Sequence, residues 1–139
     1  MDYDDVAVGD LAPERSLTLT RTDLVKYAGA SGDYNPMHHD DVQAKEVGLP
    51  SVFGHGMLSA GFLATALTDY VGIGRLTRYK VRFAKQTWPG DVLTTAISVT
   101  AKRSEGGRQL VDLDCQLLNG DGVAVVVGEA TAAIPGGAA

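Results

Sequence analysis

From Gly56 to Val71 the chain reads Gly-Met-Leu-Ser-Ala-Gly-Phe-Leu-Ala-Thr-Ala-Leu-Thr-Asp-Tyr-Val, and no other stretch restricts the fold as strongly. Met57, Leu58, Ala60, Phe62, Leu63, Ala64, Ala66, Leu67, Tyr70 and Val71 put apolar side chains on almost every side of a helix, and a helix apolar all round is a buried one. At about 1.5 Å per residue it would run roughly 24 Å, close to the width of a small domain. The remainder of the chain must wrap it.

After Gly72 and Gly74 the apolar period changes from helical to two. Tyr79, Val81 and Phe83 alternate with Arg78, Lys80 and Arg82. Leu93, Thr95, Ile97 and Val99 form a second such series, and Val111, Leu113, Cys115 and Leu117 a third. Residues Val123 to Ala133 predict a fourth long strand, and turn signals at Trp88-Pro89-Gly90-Asp91, Ser104-Glu105-Gly106-Gly107 and Asn119-Gly120-Asp121-Gly122 separate them. Upstream, Ser16 to Thr20 reads as a short strand. A helix with Thr22 as N-cap runs to Gly29, a second starts at Asp40 or Asp41 and stops at Gly48, and an acidic lead, Met1 to Glu14, lies along the surface. The tail from Pro135 to Ala139 has nothing to bury. One strand, short helices, a buried helix and an antiparallel meander define an α+β domain over residues 1–139, its sheet curled around Gly56 to Val71 in the hot-dog arrangement. An edge strand is left over, which invites pairing with a second chain.

With 45 % hydrophobic residues in 139, the chain can bury a core of its own. Its net charge of -5 argues against a general nucleic-acid binder. The single cysteine, Cys115, excludes an internal disulfide and a thiolate zinc cluster, which fits a reducing compartment. No apolar run of signal-peptide or membrane-span length occurs, and the expected location is cytoplasmic.

The chemistry concentrates just before the long helix. Ser31-Gly32-Asp33-Tyr34-Asn35-Pro36-Met37-His38 holds a carboxylate and an imidazole five residues apart across a proline that stiffens the turn. Such a pair can hold a water, the carboxylate orienting it and the imidazole exchanging its proton. His55-Gly56-Met57 opens the helix, where the Gly56 N–H can stabilise charge developing on a carbonyl oxygen. Together these suit addition or elimination of water β to a thioester, with no metal and no organic cofactor. Two histidines with Asp33, Asp40 and Asp41 nearby lack the helical spacing of a metal site. His39 reads as a solvated neighbour. His55 reads foremost as a buried histidine orienting the Gly56 turn, with a direct role as the alternative.

The two motifs resemble the signature of the MaoC-like R-specific enoyl-thioester hydratases and 3-hydroxyacyl-thioester dehydratases. Leu19-Thr20-Arg21, Ala44-Lys45, Val47-Gly48-Leu49 and Tyr79-Lys80-Val81-Arg82-Phe83 are similar to the catalytic subunit of the two-subunit hydroxyacyl-carrier-protein dehydratases of mycolic-acid synthesis. The resemblance implies a hot-dog dimer with catalytic Asp33 and His38, Asn35 ordering their loop and the Gly56 N–H as oxyanion donor. His55, Met57 and Ser59 fall at the substrate. The implied substrate is an acyl-CoA or acyl-carrier-protein thioester, and the implied partner a second copy or a related subunit. Some members use a helix hydroxyl near the Asp; Ser59 and Thr65 are both available here. The segment from Arg75 to Lys85 carries Arg75, Arg78, Lys80, Arg82 and Lys85 and no acid. It is either a solvated strand face or a cationic rim for coenzyme A phosphates or an acidic carrier, with Arg78, Lys80 and Arg82 the candidate contacts. A hot-dog thioesterase and a non-catalytic acyl-binding subunit are the competing functions.

Overall fold

The computed structural model describes residues 1–136. Its elements, in order, are β1 (Ser16–Thr18), α1 (Arg21–Ser31), a 3₁₀ turn (Pro36–His38), α2 (Asp41–Glu46), α3 (Gly56–Val71), β2 (Leu76–Phe83), β3 (Val92–Glu105), β4 (Arg108–Leu118) and β5 (Ala124–Ala133). One antiparallel sheet has the order β1-β3-β4-β5-β2. The last residues of the tail expected to have nothing to bury, 137–139, lie outside the described residues.

α3 has the bounds its apolar run predicts and lies against the inner face of the sheet. Leu63 and Leu67 are fully enclosed with Leu113, Cys115, Leu117, Val126 and Ala130 from β4 and β5. Each of the two leucines contributes about 1.5–3 kcal/mol by burial. Tyr79 of β2 donates its hydroxyl to the Ala60 carbonyl at 2.8 Å, fastening the edge strand to the helix. Burial pushes the Tyr79 phenol far above its ordinary pKa, so it stays a neutral donor. The helix is not enclosed all round. Gly56, Met57, Gly61 and Thr65 remain exposed in a stripe, because one five-stranded sheet curls past only part of its circumference.

Three local readings are corrected. The N-cap of α1 is Thr20, not Thr22: Thr20 Oγ1 accepts from the Asp23 N–H at 3.2 Å, and the Asp23 carboxylate accepts from the Thr20 N–H at 2.8 Å. Two first-turn donors are satisfied by this reciprocal box, which Thr22 cannot form with Asp23 as its neighbour. The helix then runs past Gly29 to Ser31, and Gly32 ends it at φ 77°, a left-handed conformation that favours glycine. The acidic lead does more than lie on the surface. Gly9 and Ala12 donate to the Val99 and Ile97 carbonyls, so the segment prolongs β1 along the edge of β3. β2 is the opposite edge, paired among the described residues with β5 alone.

Candidate active site

Gly32 turns the chain out of α1 into a loop held by its own side chains. Ser31 Oγ accepts from the Asp33 N–H at 3.1 Å, Asp33 Oδ1 from the Asn35 N–H at 3.3 Å, and Asn35 Oδ1 from the Met37 N–H at 3.1 Å. Pro36 starts the 3₁₀ turn with φ already set, and the turn delivers His38 inward, 7 % exposed. A second segment, Val52 to His55, comes alongside: the Phe53 N–H donates to the Met37 carbonyl at 3.1 Å, and Asp41 Oδ1 accepts from the Val52 N–H at 3.0 Å.

Between the two segments sits a pair of imidazoles. His38 Nδ1 lies 2.7 Å from the Phe53 carbonyl oxygen. A carbonyl only accepts, so that nitrogen carries the proton and Nε2 presents a lone pair. Nε2 faces Asp33 Oδ2 at 3.7 Å, beyond hydrogen-bond reach, and the Asp33 carboxylate is half exposed. Two acceptors at this separation can share one water that donates a proton to each. The His55 ring stacks on His38 with centroids 3.8 Å apart and is 1 % exposed. Its Nε2 lies 3.2 Å from the Asp33 carbonyl oxygen, and Tyr27 meets the ring edge-on at 4.8 Å.

Burial, reinforced by the neighbouring His38, holds the His55 pKa below its ordinary value of 6.5. The sign of the consequence follows from proton counts. Above pH 6.5 the imidazole is neutral folded and unfolded. Below it the unfolded chain binds a proton that the folded chain refuses, so stability falls with pH until the lowered folded pKa is passed. Denaturant titrations between pH 6.5 and 5 should show this loss, with a slope of at most about 1.4 kcal/mol per pH unit for one proton, and His55→Gln should flatten it. The lowered carboxyl pKa values of Asp40, Asp41 and Asp112 act in a more acidic window, below the usual carboxylate range.

Gly56 follows His55 as the first residue of α3, and its N–H is one of the first-turn donors without an intrahelical acceptor. A cleft of about 320 Å³ opens there, lined by Phe53, Gly56, Ser59, Phe83, Lys85 and Thr87 among others. Ser59 is 4 % exposed at this wall, whereas the Thr65 hydroxyl is exposed and donates to the Gly61 carbonyl at 2.9 Å. Met57 is 61 % exposed on the open stripe of the helix and is not part of the cleft lining. His39 is exposed, with Nε2 3.2 Å from the Tyr34 carbonyl.

Arg78, Lys80 and Arg82 are not brought to this cleft. They register with Thr131, Glu129 and Val127 of β5, whereas Tyr79, which reaches α3, registers with Ala130. The three cations therefore share the outer face of the sheet, where Arg78 pairs with Glu129 at 2.8 Å and Lys80 and Arg82 border a groove with Asp114 and Gln116. Phe53 and Thr87 are cleft residues that the sequence did not single out, while Lys85 stood there only in the cationic segment and Phe83 only in the alternating series. Phe83 closes β2, two residues on from Val81 and on the same side as Tyr79, and Lys85 lies just past the strand end.

Asp33, His38 and His55 each place one possible ligand atom within 4.8 Å of the others. The two rings stack 26° from parallel, and each gives one nitrogen to a carbonyl, which leaves His38 Nε2 and His55 Nδ1 as the uncommitted nitrogens.

An antiparallel sheet wrapped on one helix, with Asp33 and His38 facing each other beside a glycine at the helix head, defines a hot-dog protein. Residues 7–117 match the MaoC like domain, and the chain belongs to that family. It is 30 % identical over 135 residues to an (R)-specific enoyl-CoA hydratase of Rhodospirillum rubrum, covering 96 % of this chain and 91 % of the relative. It is 37 % identical over 73 residues to 3-hydroxyacyl-thioester dehydratase X of Mycobacterium tuberculosis, covering 52 % of this chain and 25 % of that one. Among solved structures, the unliganded R-hydratase PhaJ1 of Pseudomonas aeruginosa superimposes with a TM-score of 0.87 at 28 % identity, over 97 % of this chain and 86 % of that one.

Proposed function

We propose that the chain is a hydro-lyase of fatty-acid metabolism that reversibly adds water to trans-2-enoyl thioesters, giving (R)-3-hydroxyacyl thioesters on coenzyme A or a carrier protein. The observation that carries this reading is the 3.7 Å gap between Asp33 Oδ2 and the lone pair of His38 Nε2, with the tautomer fixed by the Phe53 carbonyl. Water held there passes one proton to the Asp33–His38 pair as its oxygen bonds to C3 of the substrate. The π pair of the double bond moves toward the thioester oxygen, where the Gly56 N–H donates a hydrogen bond that stabilises the negative charge. Collapse of this enolate takes the proton back at C2, and dehydration is the reverse. Asn35 keeps the loop in shape through Met37, and Ser59 lines the cleft.

Crotonyl-CoA supplies the test. Loss of the conjugated enoyl absorbance without release of free thiol, with (R)-3-hydroxybutyryl-CoA as product, is the expected result. Thiol release with the double bond retained would make the chain a thioesterase, and no turnover would favour an acyl-binding subunit.

The chain is further proposed to act as a dimer. The outer edge of β2 is unpaired over eight residues, and Met57, Ile73 and Phe83 are large apolar side chains left exposed. Sedimentation at micromolar concentration should give twice the chain mass, with a second copy as the partner and a related subunit as the alternative. An active monomer would sink this part of the reading. No helix among the described residues is long and apolar enough to cross a membrane.

A further inference from the structure

The two stacked histidines are tied in a crossed manner. His38 belongs to the first segment and reaches the carbonyl of Phe53 in the second; His55 belongs to the second and reaches the carbonyl of Asp33 in the first. Their rings meet between the two ties, 3.8 Å apart and 26° from parallel. Phe53 closes one side, edge-on to His38 at 5.0 Å, and Tyr27 closes the other, edge-on to His55 at 4.8 Å. The His55 Nδ1 is buried with no hydrogen-bond partner among the described residues. A buried ring nitrogen left unpaired costs free energy, so the ring is held where it is by its stack and by the bond at Nε2.

We infer that His55 is a positioning residue: with His38 it forms a reciprocal brace of opposite tautomers that holds the Asp33–His38 water site in register with the Gly56 amide. This rests on the hydratase reading above for its catalytic consequence, though not for the brace itself. The geometry fixes the protons. Each ring nitrogen facing a carbonyl must donate, so His38 carries its proton on Nδ1 and His55 on Nε2. His55 is also the residue before Gly56, and its Nε2 bond sets the carbonyl of Asp33 itself. One side chain therefore fixes both the carboxylate end of the water site and the start of the helix that supplies the oxyanion donor. No proton needs to pass through His55 for this role. A misplacement of about 1 Å between reacting groups can cost on the order of 10²-fold in rate, which is the scale expected when the brace is cut.

The test has two independent arms. Long-range ¹H–¹⁵N spectra of the imidazoles at pH 8.5 should show His38 as the Nδ1–H tautomer and His55 as the Nε2–H tautomer. In the kinetic arm, His55→Leu should lower kcat for crotonyl-CoA on the order of 10²-fold with little change in KM. His55→Gln, which keeps an N–H donor, and His55→Phe, which keeps a stacking ring, should each recover part of that loss. The same tautomer on both rings, or a folded His55→Leu protein with its kcat retained within about threefold, would overturn the inference. A wild type inert toward crotonyl-CoA would strike the hydratase reading alone, leaving the spectra to decide the brace.

Discussion

Asp33→Asn and His38→Gln each lower kcat by about 10²–10⁴-fold, and the double variant falls little further than the worse single one. The expectation comes from the two acceptors facing each other across 3.7 Å. A water between them needs both: Asp33→Asn turns one acceptor into an amide that can donate, and His38→Gln removes the accepting ring nitrogen while leaving an amide able to reach the Phe53 carbonyl that His38 Nδ1 occupies at 2.7 Å. Folding should survive both changes. The Asp33 carboxylate is half exposed, and its structural bond, from the Asn35 N–H to Oδ1, can be replaced by the oxygen of asparagine. Steady-state kinetics on crotonyl-CoA with parallel thermal melts provide the check. Losses that multiply in the double variant would mean that Asp33 and His38 act in separate steps.

Much of this arrangement is legible in the chain, and what escapes has identifiable causes. The bounds of α3 follow from the mostly apolar run between Gly56 and Gly72, and β2, β3 and β4 follow from alternation. Thr22 reads as the cap in the sequence, and Asp23, three residues after Thr20, puts the cap at Thr20 instead through a reciprocal hydrogen-bond pair. The placement of Arg78, Lys80 and Arg82 was also readable: if Tyr79, Val81 and Phe83 face the helix, alternation puts the cations across the sheet from the helix head. The His38–His55 stack was not readable. It needs two loops, seventeen residues apart in sequence at their histidines, to meet at a distance that no local propensity encodes. The open stripe at Met57, Gly61 and Thr65 escaped for a related reason, since composition around a helix says it is buried but not by how many chains.

Gly56→Val carries the second large effect, a loss of activity on the order of 10²–10³-fold at a small cost in stability. At the head of α3 a side chain would meet the Phe83 ring first, with Cε1 3.1 Å and Cζ 3.2 Å from the position of a Cβ. Phe83 is 49 % exposed at the end of an edge strand, so its ring can yield without opening the core. Gly56 has no positive φ to defend, and stability should therefore change by about 1 kcal/mol or less. The cleft cannot absorb the same change. Phe83 and Gly56 both line its wall, so valine methyls and a displaced ring together occupy the space through which a thioester oxygen would approach the Gly56 N–H. Gly56→Ala should be intermediate, and Gly56→Ala combined with Phe83→Leu should recover part of the alanine variant's activity by relieving the contact with the ring. Thermal melts read beside kcat/KM separate the two roles of this glycine: a melting temperature that drops in step with activity across the series would show that Gly56 serves packing alone, and that the oxyanion donor must be sought at another amide.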